Sequence, residues 1–167
     1  MEQGVTFRAP WCVSLITITL LLVVIIVGTA IIGILSGPTG NILWIFAMVF
    51  PLLLLSGAMF FMIRGYVLAD NMLFIQRLGW NSKVDLASLK SVEIDPQAMA
   101  KSIRTCGNGG LFCFAGAFWN KKLGSYRAFA TDPKRAVVLK FARRVVVVTP
   151  ERPEEFAAKT REMKNLQ

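Results

Sequence analysis

Two apolar runs joined by a short turn decide the fold of this chain: VSLITITLLLVVIIVGTAIIGIL (Val13–Leu35), SGPTGN (Ser36–Asn41) and ILWIFAMVFPLLLLSGAMFFMI (Ile42–Ile63). The runs are 23 and 22 residues long and carry no charge. As helices rising 1.5 Å per residue, they would reach roughly 33–35 Å, which exceeds the ~30 Å hydrocarbon core of a bilayer. A core helix of a soluble protein would instead have polar residues along one face. The sequence therefore predicts a transmembrane hairpin over residues 13–63, with spans 13–35 and 42–63.

The distribution of charge predicts which way the hairpin faces. Of the 19 Lys and Arg residues, only Arg8 precedes the first run, the turn has none, and the others begin at Arg64. The positive-inside rule then places both termini in the cytoplasm, with residues 1–12 as a cytoplasmic tail. Trp11 and Trp44 fall where interfacial aromatic residues are expected. A cleaved signal peptide is the alternative for the first run, but the run is too long and its flank is barely basic.

Small residues recur every four positions in the first run, at Thr29, Gly33 and Gly37. Such spacing lets two helix backbones approach closely. The partner is either the second run of the same hairpin or another copy of the chain, which would make a homo-oligomer.

The 104 residues from 64 to 167 predict one small cytoplasmic domain. The chain has a formal charge of +9, and this part contains nearly all of its basic residues. A basic domain tethered to a membrane faces anionic lipid headgroups. Nucleic acid is the other partner that such a charge suggests, but the tether and the lack of a nucleic-acid-binding motif argue against it.

Short apolar runs separated by turn residues predict a mostly β domain of seven or eight strands. Asp70-Asn71 is expected to make a tight turn. The glycine-rich segment Arg104–Phe118 is expected to be an irregular loop that leads into a bulged strand. Its aromatic side chains belong either to the core or to a protein-contact surface. A last helix is expected from Pro153, with Phe156, Thr160 and Met163 packed on the sheet.

Four stretches after the second apolar run read, in order, YVLADNML (Tyr66–Leu73), VDLASLKSVE (Val84–Glu93), RTCGNGGLFCFAG (Arg104–Gly116) and VTPERPEEF (Val148–Phe156). Taken in this order, they resemble the bacterial pleckstrin-homology-like (PH-like) domain family that follows paired transmembrane helices. The resemblance implies a partly open barrel of two near-orthogonal sheets, one end of which a C-terminal helix closes. It also implies a domain on the cytoplasmic face of a bacterial inner membrane. Eukaryotic PH domains often bind inositol phosphates through a long basic first loop. The turn at Asp70-Asn71 is short and has no Lys or Arg, so that specificity is not carried over.

No residue pattern predicts catalysis, a cofactor or a metal site. The chain has no histidine, and its three cysteines do not follow a zinc-binding spacing. The glycine-rich segment lacks the Lys and Ser of a phosphate-binding loop. The three cysteines are expected to be free thiols in a reducing cytosol.

Four basic residues in two predicted turns are the candidate contacts for anionic lipid headgroups or an unidentified protein partner: Lys121, Lys122, Arg143 and Arg144. The alternative is that they only keep the domain soluble. We expect a non-enzymatic interaction or scaffold module at the cytoplasmic membrane surface. The alternative function is an accessory subunit that contacts a larger membrane complex through its hairpin.

Overall fold

The computed structural model describes residues 4–38 and 40–165, and two of its helices are long and apolar enough to cross a membrane. Helix α1 comprises Val13–Ser36, and helix α2 comprises Ile42–Met59. The predicted hairpin is confirmed. Its second helix ends at Met59 rather than at Ile63, because Ile63 is fully buried and begins a strand of the following domain.

The two helices of the hairpin pack closely at the turn. A Cβ atom on Gly33 would overlap the Met48 side chain, and one on Gly37 would overlap the Trp44 ring, so the absence of a side chain at both positions permits this close contact. The Trp44 indole N–H donates to the carbonyl of Gly33 at 2.8 Å. Asn41 caps α2 by accepting two N–H groups of its first turn. Gly33 and Gly37 therefore serve contact within the hairpin, the first of the two alternatives for this pattern.

Within the described residues, ten strands form two sheets, of four strands in the order β1-β2-β3-β4 and of six in the order β5-β9-β10-β8-β7-β6. Neighbouring strands are antiparallel, except β8 and β10, which are parallel. The strands are β1 Val5–Arg8, β2 Ile63–Ala69, β3 Met72–Arg77, β4 Asn81–Asp85, β5 Leu89–Ile94, β6 Ile103–Gly109, β7 Phe114–Asn120, β8 Gly124–Ala130, β9 Val137–Phe141 and β10 Val145–Val148.

The mostly β architecture with a C-terminal helix is confirmed. Two strands, β1 and β6, lie where the sequence predicted a tail and a loop. Asp70 and Asn71 both adopt left-handed backbone, with φ of 49° and 60°, and join β2 to β3 in the expected tight turn. In the part of the chain that the structure describes, nine strands follow α2 instead of seven or eight, partly because the predicted loop after Arg104 lies within β6. The bulge was expected in the strand after that loop, whereas the structure has a register shift between Arg104 and Cys106, within β6.

Two facing glycines explain how β6 and β7 pair so closely. Gly107 and Gly116 are register partners, with φ of 103° and 140°. A Cβ atom on either residue would clash with the backbone of the opposite strand. Glycine is required at both positions, because an L side chain would strain the backbone and separate the strands.

Strand β1 lies in the segment that the sequence predicted to be a cytoplasmic tail. Residues Val5–Arg8 pair antiparallel with β2, in the register Val5 with Leu68 and Arg8 with Gly65. Phe7 is only 1% exposed and belongs to the core between the sheets. The hairpin is thus an insertion between two paired strands. Because these strands pair, the segments before α1 and after α2 lie on the same side of any bilayer that both helices cross.

The core lies between the two sheets, and the C-terminal helix α3 (Pro153–Lys164) covers one opening of it. Phe156 is fully buried, and its ring packs edge-on against Phe7 at a centroid distance of 5.2 Å. Thr160 is buried and Met163 packs against the core, so the predicted stripe of α3 is confirmed.

A second, smaller core lies on the other face of the six-stranded sheet, where the chain between β5 and β6 covers it. Ala98, Phe118 and Tyr126 belong to it, and the Tyr126 hydroxyl donates to Ser102 at 2.7 Å. Most aromatic side chains of the glycine-rich segment are accordingly buried or partly buried, which favours the core alternative for them.

Candidate functional site

The β domain packs directly on the first two turns of α1. Leu15 is fully buried, and Thr19 is only 6% exposed although both lie in the apolar run. The Thr19 hydroxyl accepts the backbone N–H of Phe112 at 3.2 Å, and the N–H of Cys12 donates to the carbonyl of Thr131 at 3.2 Å. The loop between β6 and β7 and the end of β8 therefore lie at the membrane-proximal end of the domain.

Side chains of the β domain also bind the chain where it leaves α2. The carbonyl of Phe61 accepts a hydrogen bond from the Arg77 guanidinium at 2.6 Å and one from the Cys113 thiol at 3.3 Å. The Trp80 indole donates to the carbonyl of Phe60 at 3.2 Å. Carbonyl groups after a helix end have no partner within the helix, and here the domain supplies those partners. The exit of α2 is thereby held against the sheets.

A cleft of about 720 Å³ opens between the two sheets beside this exit. One wall comes from β3 and β4, and the other comes from β6, β7, β8 and β10, with Gly107 and Gly116 contributing backbone. Ala58 of α2 and Phe61 lie at its membrane-proximal end. Its volume is in the range of clefts that bind small ligands.

Five basic side chains line this cleft, whereas no Asp, Glu, His or Cys of the described residues does. We call it the basic cleft, and its basic residues are Arg77, Lys83, Arg104, Arg127 and Arg144. Aromatic and aliphatic side chains supply the rest of the lining, among them Trp80, Leu111 and Phe129. Such a mixture suits a ligand that has both an anionic and an apolar part.

Arg77 is the most buried of the five, with 8% of its surface exposed. Its guanidinium lies 4.8 Å from the ring of Trp80 and 5.7 Å from that of Phe129, and its Nε donates to Ser82. Within the described residues it forms no ion pair with a carboxylate. Burial lowers the pKa of Arg77, and the positive charge of Arg127 lowers it further.

The structure places the four predicted site residues at one end of the six-stranded sheet. Lys121 and Lys122 precede β8, and Arg143 and Arg144 precede β10. Because β8 and β10 are parallel neighbours, both turns lie at the end opposite to Thr131 and α1. β8 has seven residues, so this end is roughly 20 Å from α1.

That separation exceeds the Debye length of about 8–10 Å, which argues against direct binding of the bilayer through these turns. Lys122 forms an ion pair with Asp95, and Arg144 lies over the ring of Phe141 and lines the basic cleft. The structure therefore brings only Arg144 into the cleft, and Lys121, Lys122 and Arg143 remain candidates for contact with a protein partner.

Sequence reasoning missed the other four basic residues of the cleft, although two of them follow a readable pattern. Leu73, Ile75 and Arg77 alternate along β3, so Arg77 occupies a position on the core face. Arg127 shares a face of β8 with Phe129. A basic residue on a core-facing position is a signal that the charge lines an internal site. Lys83 and Arg104 have no comparable signal.

The three thiols differ in their exposure. Cys113 is fully buried, and burial raises its pKa to about 11, so the thiolate is absent at neutral pH. Cys106 is exposed, and Cys12 is partly exposed. The described residues contain no group of three or more His, Cys, Asp or Glu side chains that could hold a metal ion.

The comparison with protein families matches residues 64–163 to the family described as Bacterial PH domain. The chain belongs to this family, as the resemblance in its sequence implied. Comparisons with curated proteins and with solved structures give no match. The family match begins within β2, so β1 and the hairpin, which complete the sheet and its attachment in this chain, lie outside it.

Proposed function

We propose that the chain is a membrane-anchored, non-catalytic PH-like module that binds a ligand or partner at the cytoplasmic surface of the membrane. The family supports a role in interaction, and the two apolar helices support membrane anchoring. The concentration of Lys and Arg after residue 63, together with a turn without charge, supports the cytoplasmic orientation.

One observation carries the proposal: the basic cleft is held against the exit of the hairpin. The hydrogen bonds from Arg77 and Cys113 to Phe61 and the contact of Thr19 with the β6–β7 loop attach the domain to both helices. A domain on a flexible linker would sample many orientations, whereas this one presents a single face to the bilayer. The cleft contains cationic side chains, which bind anions, and aromatic rings, which pack against apolar groups.

Cysteine labelling in intact cells tests the orientation. Ser36 is exposed at the end of α1, and a Ser36→Cys variant that also carries Cys106→Ser should react with an impermeant maleimide before the cells are opened. In the native sequence, exposed Cys106 should react only after permeabilisation, because it lies in the β domain. Labelling of Cys106 in intact cells would reverse the orientation.

The buried thiol of Cys113 provides a control for this experiment. Buried Cys113 should stay unlabelled in the folded protein and react only after denaturation, which tests that the β domain is intact. Thr39 and Gln167 lie outside the described residues, so Ser36 and Cys106 are the positions used for labelling.

A further inference from the structure

We propose that the basic cleft binds the headgroup of a single anionic phospholipid drawn from the adjoining leaflet. This inference rests on the proposed function, because a lipid reaches the cleft from the bilayer only if the hairpin spans it. The site differs from the turn between β2 and β3, whose residues Asp70 and Asn71 carry no positive charge.

Charge is the first argument. Five cationic side chains share one cleft without a carboxylate in its lining, and Arg127 already disfavours the charged form of neighbouring Arg77. An anion between them would replace this repulsion with attraction. Arginine side chains predominate, and their planar forks match two oxygens of a phosphate group.

The hydrogen bonds of Arg77 provide a second, independent argument. Its Nε donates to Ser82 and its Nη1 donates to Phe61, while Nη2 donates to no atom of the described residues. No buried side-chain nitrogen or oxygen in the described part of the chain lacks a partner, so Nη2 reaches the accessible surface of the cleft. A fixed guanidinium with free donors is prepared for an anionic ligand.

The position and apolar lining of the cleft identify the anion as a lipid. Ala58 belongs to α2 and lines the cleft, so its mouth adjoins the surface of a membrane-spanning helix. Phe61 is 50% exposed and Leu54 is 59% exposed on that side of the chain. A headgroup phosphate can therefore lie among the arginines while its acyl chains remain beside α2. A free phosphate would use the cations and leave Trp80 and Leu111 without a role.

The test is a titration of the full chain in an uncharged detergent at constant ionic strength. Dihexanoyl-phosphatidylglycerol is added below its micelle concentration, and Trp fluorescence and the melting temperature are recorded. The chain has four Trp residues and only Trp80 lines the cleft, so the fluorescence change that Trp80→Phe removes reports occupancy. We expect saturable binding of phosphatidylglycerol, and binding at least about tenfold weaker for dihexanoyl-phosphatidylcholine, glycerol phosphate and inorganic phosphate.

Charge-matched variants separate the cleft from the general charge of the domain. Arg104→Gln with Arg127→Gln removes two exposed cations of the cleft and should weaken phosphatidylglycerol binding about tenfold or more. Lys121→Gln with Arg143→Gln removes the same charge outside the cleft and should leave the affinity within about twofold. Melting temperatures without ligand verify that both variants fold.

Three outcomes would overturn the proposal. Equal weakening in both double variants would mean attraction to the net charge. Equal binding of phosphatidylglycerol and phosphatidylcholine would mean a purely apolar groove, and equal binding of inorganic phosphate would mean a site for a free anion. The titration does not depend on the orientation of the chain in the membrane, and the cysteine labelling does not depend on a lipid. Lipid binding by the cleft and the cytoplasmic orientation can therefore be rejected separately.

Discussion

Cys113 and Tyr66 are ionisable residues buried in the core between the two sheets. Burial raises the pKa of Cys113 to about 11 and that of Tyr66 to about 12, from ordinary values of 9.0 and 10.0. The Tyr66 hydroxyl donates to the carbonyl of Phe129 at 2.7 Å and accepts the N–H of Thr149 at 3.2 Å, which ties β2 to the ends of β8 and β10. Both residues are held in their neutral forms.

This burial predicts a loss of stability at alkaline pH. Well below pH 9, both groups are neutral in the folded and unfolded chain, so neither makes stability depend on pH. Between pH 9 and about 11, the thiol of Cys113 ionises only in the unfolded chain, so the free energy of unfolding falls as pH rises. The melting temperature of the detergent-solubilised chain should decline across this range, and Cys113→Ala should reduce the decline. An equally steep decline in that variant would mean that the thiol does not contribute.

At the scale of elements, α3 is attached to the sheets mainly through one ring. Phe156 is fully buried between Phe7 and Tyr66, with ring centroids at 5.2 and 6.3 Å. The ion pair between Lys159 and Glu162 lies on the exposed side of the helix. The two faces of α3 therefore allow matched substitutions.

Phe156→Ala should lower the free energy of unfolding by about 3–5 kcal/mol, because it removes a fully buried ring and leaves a cavity. Glu162→Ala removes only a surface ion pair and should cost no more than about 1 kcal/mol. Denaturant unfolding of the full chain in detergent measures both values. Equal stability of the two variants would mean that α3 is not anchored by Phe156.

At the scale of the whole molecule, the hairpin is inserted between two strands that pair across it. Ala9 donates its N–H to the carbonyl of Arg64 at 3.2 Å, so the ends of β1 and β2 lie side by side. Phe7 fills the core from β1 and lies beside Phe156. The β domain is therefore complete only when residues from both sides of the hairpin are present.

Excision of the hairpin tests this organisation. A chain in which residues 1–9 are joined to residues 64–167 through an Asn-Gly turn should fold as a monomer, because a two-residue turn suits antiparallel strands. A fragment of residues 64–167 alone lacks β1 and the Phe7 side chain, and it should unfold at a lower denaturant concentration. Circular dichroism during urea unfolding compares the two. Equal midpoints would mean that β1 is dispensable.

Local patterns in the sequence predicted much of this structure. The apolar runs, the turn at Asp70-Asn71 and the stripe on α3 all depend on residues close together along the chain. Only part of the site could be predicted in the same way: Arg144 lines the cleft, but the other cleft residues come from β3, β4, β6 and β8. Residues so far apart along the chain meet only through sheet pairing and packing.

The amino-acid sequence by itself determined the two apolar helices, the order of most strands and the family, because each depends on composition or on local order. Tertiary structure alone decided that Val5–Arg8 completes the first sheet and that five basic residues share one cleft. The physical reason is the distance along the chain. The pairing of β1 with β2 closes a loop of more than 50 residues, and no local preference of four residues specifies such a partner.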